Sequence, residues 1–157
     1  MTTINGKVCV VNGTPVDKVF SNGRQVYGRN IASGTSSDWQ KASFPNDWGI
    51  TYLCDPTYEI VEGETYTIQV EVRNMTSPIM LEIWYNNAGS NRIGLGSQTK
   101  PTTSNDGIVS VTFTAHLPDD YTYLEPNLAF TSPITSPGSY EFRQCKIEKG
   151  SVATPWT

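Results

Sequence analysis

The stretch "TYTIQVEVR", residues 65–73, alternates apolar and polar side chains without a break. Tyr66, Ile68, Val70 and Val72 share one phase; Thr65, Thr67, Gln69, Glu71 and Arg73 share the other. A period of two sends successive side chains to opposite faces of an extended chain, so this segment is a half-buried strand. "IVSVTFTAHL" repeats the scheme, with Val109, Val111, Phe113, Ala115 and Leu117 inward and Ser110, Thr112, Thr114 and His116 outward. "IMLEIWY" sets Ile79, Leu81, Ile83 and Tyr85 against Met80, Glu82 and Trp84. In "YLEPNLAF", Leu124, Leu128 and Phe130 face inward, and Tyr123, Glu125 and Asn127 outward. Pro126 has no N–H to give a ladder, which predicts an edge strand or a bulge. In "SYEFRQCKIEK", Tyr140 and Phe142 share a phase but Cys145 and Ile147 take the other, and a one-residue slip near Arg143 and Gln144 reads as a β-bulge.

Helix signals are nearly absent, and Gly, Pro and Asn clusters punctuate the chain about every ten residues. Five strands, each with one apolar face, predict two sheets packed through those faces. The expected fold is an all-β, jelly-roll-like β-sandwich. The first thirty residues differ: Asn5-Gly6, Asn12-Gly13 and Asn22-Gly23 separate pieces too short to form a core. Residues 1–28 are therefore read as a β-hairpin connector and residues 29–157 as the sandwich domain.

A chain of 157 residues is long enough for one core. Its net charge of -4 leaves no basic footprint for nucleic acid, and no apolar run approaches the ~18 residues of a membrane-spanning helix. The expected partners thus include neither nucleic acid nor membrane. The opening "MTTINGKVCV" lacks the pattern of a secretory signal, which suggests synthesis in a cytoplasm. Cys9, Cys54 and Cys145 are odd in number and widely spaced, an argument against a disulfide framework or a zinc site. No cofactor or metal is expected.

Catalytic signatures are missing from the text of the chain. His116 is the lone histidine, and there is no nucleophile elbow, His-Glu-x-x-His or phosphate-cradling loop. A glycan hydrolase needs only two carboxylates, so that reading stays open as the weaker alternative. The aromatic content says more. Trp84 sits on the polar face of its strand beside Glu82 and just before "YNNAGSNR", and two Asp-Trp pairs, Asp38-Trp39 and Asp47-Trp48, flank a loop-like stretch. An indole ring can cover the apolar C–H face of a pyranose while amides, carboxylates and guanidinium groups bind its hydroxyls. The candidate saccharide contacts are Trp84 as platform with Glu82, Asn86, Asn87 and Arg92 around it. Tyr123, Asn127 and His116 join if the sheet order permits, and Trp48 with Asp47 forms a second candidate platform. Packing at the ends of the sandwich is the plainer reading of Trp39 and Trp48.

The two ends of the chain carry a resemblance. "KIEKGSVATPWT" resembles the "K-[LI]-E-K-G-S-x-A-T-P-W-T" ending of carbohydrate-binding modules in tail proteins of phages that infect Gram-positive bacteria, lactic acid bacteria in particular. "VNGTPVDKVFSNGRQVYGRNIASGTS" is similar to their lead-in, with Ile31 and Ala32 where two leucines are common, and "VEGETYTIQVEVRN" is similar to a central strand of the jelly roll. The resemblance implies a galactose-binding-like jelly-roll module in a phage tail or baseplate, adsorbing to host cell-surface polysaccharide without cleaving it. Its partners would be that saccharide and the remainder of the tail protein, and its location the virion tail. A purely structural tail or baseplate decoration that contacts another phage protein is the alternative. The terminal motif itself is expected to be architectural, with Trp156 folding back on the sandwich.

Overall fold

The computed structural model describes residues 10–156, built from strands and containing no helix among them. Four short strands come first: β1 (Val10–Val11), β2 (Thr14–Pro15), β3 (Lys18–Ser21) and β4 (Arg24–Gly28), paired as two hairpins. Asn12-Gly13 and Asn22-Gly23 turn them, all four residues at positive φ as a two-residue hairpin turn requires. Asn5-Gly6 and Cys9 lie outside the described residues.

Two larger sheets follow. One has the order β10 (Thr102–Thr103), β8 (Ile79–Asn86), β12 (Tyr123–Phe130), β6 (Thr51–Tyr52), with β9 (Arg92–Leu95) also paired to β8. The other has the order β11 (Gly107–Thr114), β7 (Thr65–Arg73), β13 (Gly138–Lys149), β5 (Gln40–Phe44). All pairings are antiparallel. The apolar phases meet between the sheets: Ile68, Val70, Val72, Ile79, Leu81, Leu124, Leu128, Phe130, Tyr140 and Ile147 are buried in one continuous core. Each such aliphatic side chain stabilises the fold by roughly 1.5–3 kcal/mol relative to exposure.

β13 carries the expected bulge. Arg143 pairs with Glu71 and Lys146 with Gln69, so three steps on one strand match two on the other, and Gln144 takes φ 55° to absorb the extra residue. Pro126 departs from expectation. β12 runs opposite β8 in unbroken register and is flanked on its other side by β6. The Pro126 carbonyl accepts from Leu53 N–H on that second side, where its missing donor also points. The proline is tolerated because β6 is only two residues long.

The outer face of the β7–β13 sheet also departs from simple alternation. Thr67, Gln69, Lys146 and Glu148 lie in polar phases yet are buried. The tail covers them: after Gly150, at φ 116°, the chain folds back so that Thr67 donates to the Gly150 carbonyl and Gln69 to that of Thr154. Thr154 Oγ1 donates to Glu148 Oε2 at 2.7 Å and accepts from Lys146 Nζ at 2.8 Å and from Gly28 N–H at 3.0 Å. One hydroxyl is thus used in full, one donor and two acceptor sites. The terminal "KIEKGSVATPW" is therefore a clasp: Ile147 fills the core while Lys146 and Glu148, on the opposite face, grip Thr154. Trp156 lies over the same face, lining a cleft with Gln69, Ile108 and Gln144. Trp39 is also on this side, under the Arg73 and Arg143 guanidinium groups at 4.0 and 4.3 Å.

Candidate functional site

The outer face of the other large sheet presents paired rows from β8 and β12. Met80 faces Ala129, Glu82 faces Asn127, Trp84 faces Glu125 and Asn86 faces Tyr123. Alternation alone puts these eight side chains on one surface, since their neighbours Leu81, Ile83, Tyr85 and Leu128 fill the core.

A pocket of about 260 Å³ opens on this surface, lined by Trp48, Ile50, Met80, Glu82, Trp84, Arg92, Lys100 and Ala129. The two tryptophans thus meet at one site. Trp48 arrives from the loop before β6, where its carbonyl accepts from Phe130 N–H at 2.8 Å and it remains 41% exposed. Gly49 makes the approach possible: its φ is 57°, and a Cβ there would collide with the rings of Phe130 and Phe44.

Glu82 organises the floor. It is 5% exposed and accepts from Lys100 Nζ at 2.8 Å, Asn127 Nδ2 at 3.1 Å and Trp84 Nε1 at 3.4 Å. Burial alone would push its carboxyl up, but the hydrogen bonds from Lys100 and Asn127, the Lys100 charge and the bond from Trp84 outweigh it, and the group is held below the ordinary carboxylate range. Glu125 behaves oppposite to this: burial raises its carboxyl, only partly offset by the charge of Arg92. The Arg92 guanidinium lies 4.6 Å from the centre of the Trp84 ring and Lys100 Nζ 5.6 Å from it. Trp84 is thus a dressed ring, fixed by its N–H and covered by cations. Trp48 is the more open of the two. Asn127 is fully buried, and its Oδ1 has no hydrogen-bond partner among the described residues.

The remaining sequence candidates separate. Asn86 is buried further along the same face, its amide donating to the Trp84 carbonyl, and Tyr123 opposite it packs against Tyr58 with ring centres 5.7 Å apart. Asn87 closes the β8–β9 turn, its Oδ1 accepting from Gly89 and Asn91 N–H. Asp47 pairs through its backbone with Ile134 and does not line the pocket. His116 does not join the cluster. It follows β11, in the opposite sheet, with its side chain 80% exposed beside Glu62. The sheet order that would have admitted it is not the one observed. Sequence reasoning also passed over Lys100, Ile50 and Glu125. Glu125 was visible in the outward phase of its strand; Lys100 and Ile50 sit in connections whose course strand phase does not specify.

No family model matches the chain, and no curated protein matches it in sequence. Among solved structures, a CBM4 carbohydrate-binding module superposes with a TM-score of 0.53 at 16% identity, over 76% of this chain and 94% of that one. The chain has a jelly-roll β-sandwich fold like that module's. The enzymatically active domain of bacteriophage CBA120 tailspike protein 4 gives a TM-score of 0.49 at 11% identity, over 77% of this chain and 21% of that one. The CBM22-1 xylan-binding domain of Paenibacillus barcinonensis Xyn10C gives 0.41 at 12%, over 79% and 93%. These two likenesses are too distant to bear on function. In the present jelly roll the pocket occupies the outer surface of one sheet, while the clasped tail occupies that of the other.

Proposed function

We propose that this chain is a non-catalytic carbohydrate-binding module of a phage tail or baseplate protein, adsorbing the virion to host cell-wall polysaccharide. The observation that carries the saccharide reading is the convergence of Trp48 and Trp84 on one pocket with Arg92 and Lys100 beside them. The open face of Trp48 offers apolar area to a sugar ring, and the cations supply N–H donors to its oxygens. The terminal sequence motifs support the tail assignment. In this reading residues 29–157 bind and residues 1–28 connect the module to the rest of its protein. A shallow site gives weak affinity for one module, and several copies on a tail multiply it through effective concentration.

Adhesion is favoured over hydrolysis by the state of the carboxylates. Glu82 and Glu125 lie diagonally across β8 and β12, the two carboxylates a hydrolase reading would draw on here. Glu82, however, already spends both oxygens on Lys100, Asn127 and Trp84, so it is poorly placed to attack a sugar or activate water. Incubation with purified wall polysaccharide tests the reading. Retention of the polymer on immobilised protein with no change in its size supports adhesion; shortened products would establish a hydrolase, and neither retention nor a change in size would reject both.

A further inference from the structure

We infer that Cys54 and Cys145 form a disulfide when the folded chain meets an oxidant, stapling one sheet of the sandwich to the other. The sequence spacing argues against such a bond, but the fold brings the two residues together. Cys145 is buried on the inner face of β13, just past the bulge at Gln144, and Cys54 packs on the same core from the segment after β6. Both are free thiols, and the Cys54 side chain lies close enough to act on the Cys145 thiol.

Their backbones are fixed by one shared strap. Ile31 N–H donates to the Ile147 carbonyl at 2.8 Å and Asn30 Nδ2 to that of Cys145 at 3.4 Å, while Asp55 N–H donates to the Ser33 carbonyl at 2.9 Å. Leu53 N–H holds the other side of Cys54 to Pro126. The backbone is thus anchored at both cysteines, and a bond of about 2 Å between their sulfurs would close across this part of the core. Contact with Cys54, then burial, pushes the Cys145 thiol well up.

The half-buried Cys54 is the entry point. With a small disulfide such as oxidised glutathione, the Cys54 thiolate attacks one sulfur and expels the first glutathione thiolate. That thiolate takes the Cys145 proton, and Cys145 sulfur then displaces the second glutathione from Cys54. Two thiols are oxidised, one glutathione disulfide is reduced, and two glutathione thiols leave. The bond would tether the segment that carries Trp48 and Ile50, whose own strand β6 is only two residues long, to the longest strand of the opposite sheet. This inference does not depend on the saccharide reading.

The test is incubation of the folded wild-type chain with oxidised glutathione, followed by thiol counting in denaturant, peptide mapping and melting. The expected result is loss of two of the three thiols, a Cys54–Cys145 cross-linked peptide, and a Tm higher by about 5–10 °C. Cys54→Ser, at the half-buried partner, should fold, melt as the reduced wild type does, and show no shift on oxidation. Three thiols remaining, glutathione retained on Cys54 with Cys145 free, or pairing of either residue with Cys9 would overturn the inference.

Discussion

Glu82 lies directly across the β8–β12 ladder from Asn127 and accepts its amide hydrogen at 3.1 Å, with both side chains buried. This pair ties the pocket to the fold: the carboxylate that holds Asn127 also holds Lys100 and the indole N–H of Trp84.

Glu82→Gln should therefore destabilise the protein. Glutamine keeps one acceptor but turns an amide donor toward Lys100, Asn127 or Trp84, and losing charge-assisted hydrogen bonds costs about 2 kcal/mol, or about 4–8 °C in Tm. The pH dependence gives the sign. The folded carboxyl is held below its ordinary 4.5, so its contribution is fully present above about 4.5 and is lost as the pH falls through the folded value. Melting curves of the two proteins should approach each other on acidification. A gap that stays constant from neutral pH to well below that value would show that the charge of Glu82 is not what stabilises.

The two tryptophans should separate in their effects. Trp48 is partly exposed, so Trp48→Ala should lower saccharide affinity about tenfold or more, ~1.4 kcal/mol, with little change in Tm. Trp84→Ala should lower both, because Glu82 loses a donor and Arg92 its stacking surface. Calorimetric titration and thermal melting on each variant decide it. Equal affinity for Trp48→Ala and wild type would remove Trp48 from the site.

Thr154→Val should loosen the clasp. The substitution leaves Gly28 N–H and Lys146 Nζ each short of an acceptor and Glu148 short of a donor, all of them buried. A cost of about 3 kcal/mol, or about 6–12 °C, is expected in thermal melting. A variant that melts with the wild type would show that the tail is not coupled to the sandwich.

How much of this was legible in the sequence follows from what each signal encodes. Side-chain alternation encodes face, so the inward sets of β7, β8 and β11 and the outward position of Trp84 were readable residue by residue. The phase change between Phe142 and Cys145 exposed the bulge for the same reason. Alternation says nothing of what later covers an outer face: Thr67, Gln69, Lys146 and Glu148 read as solvated until the tail is seen to lie on them. Nor does it say which strands become neighbours. Trp48 and Trp84 were two separate candidates because a loop and a strand meet only through the fold, and His116 was admissible until β11 proved to belong to the other sheet. The same limit hid Cys54 from Cys145.

The most direct test of the account is microscopy of a fluorescent-protein fusion of this chain on intact Gram-positive cells and on the same strains stripped of wall polysaccharide. The account predicts labelling of intact cells of a susceptible strain, its loss on stripping, and a weaker signal for Trp48→Ala. Labelling that survives stripping, or no labelling on any strain, would contradict it.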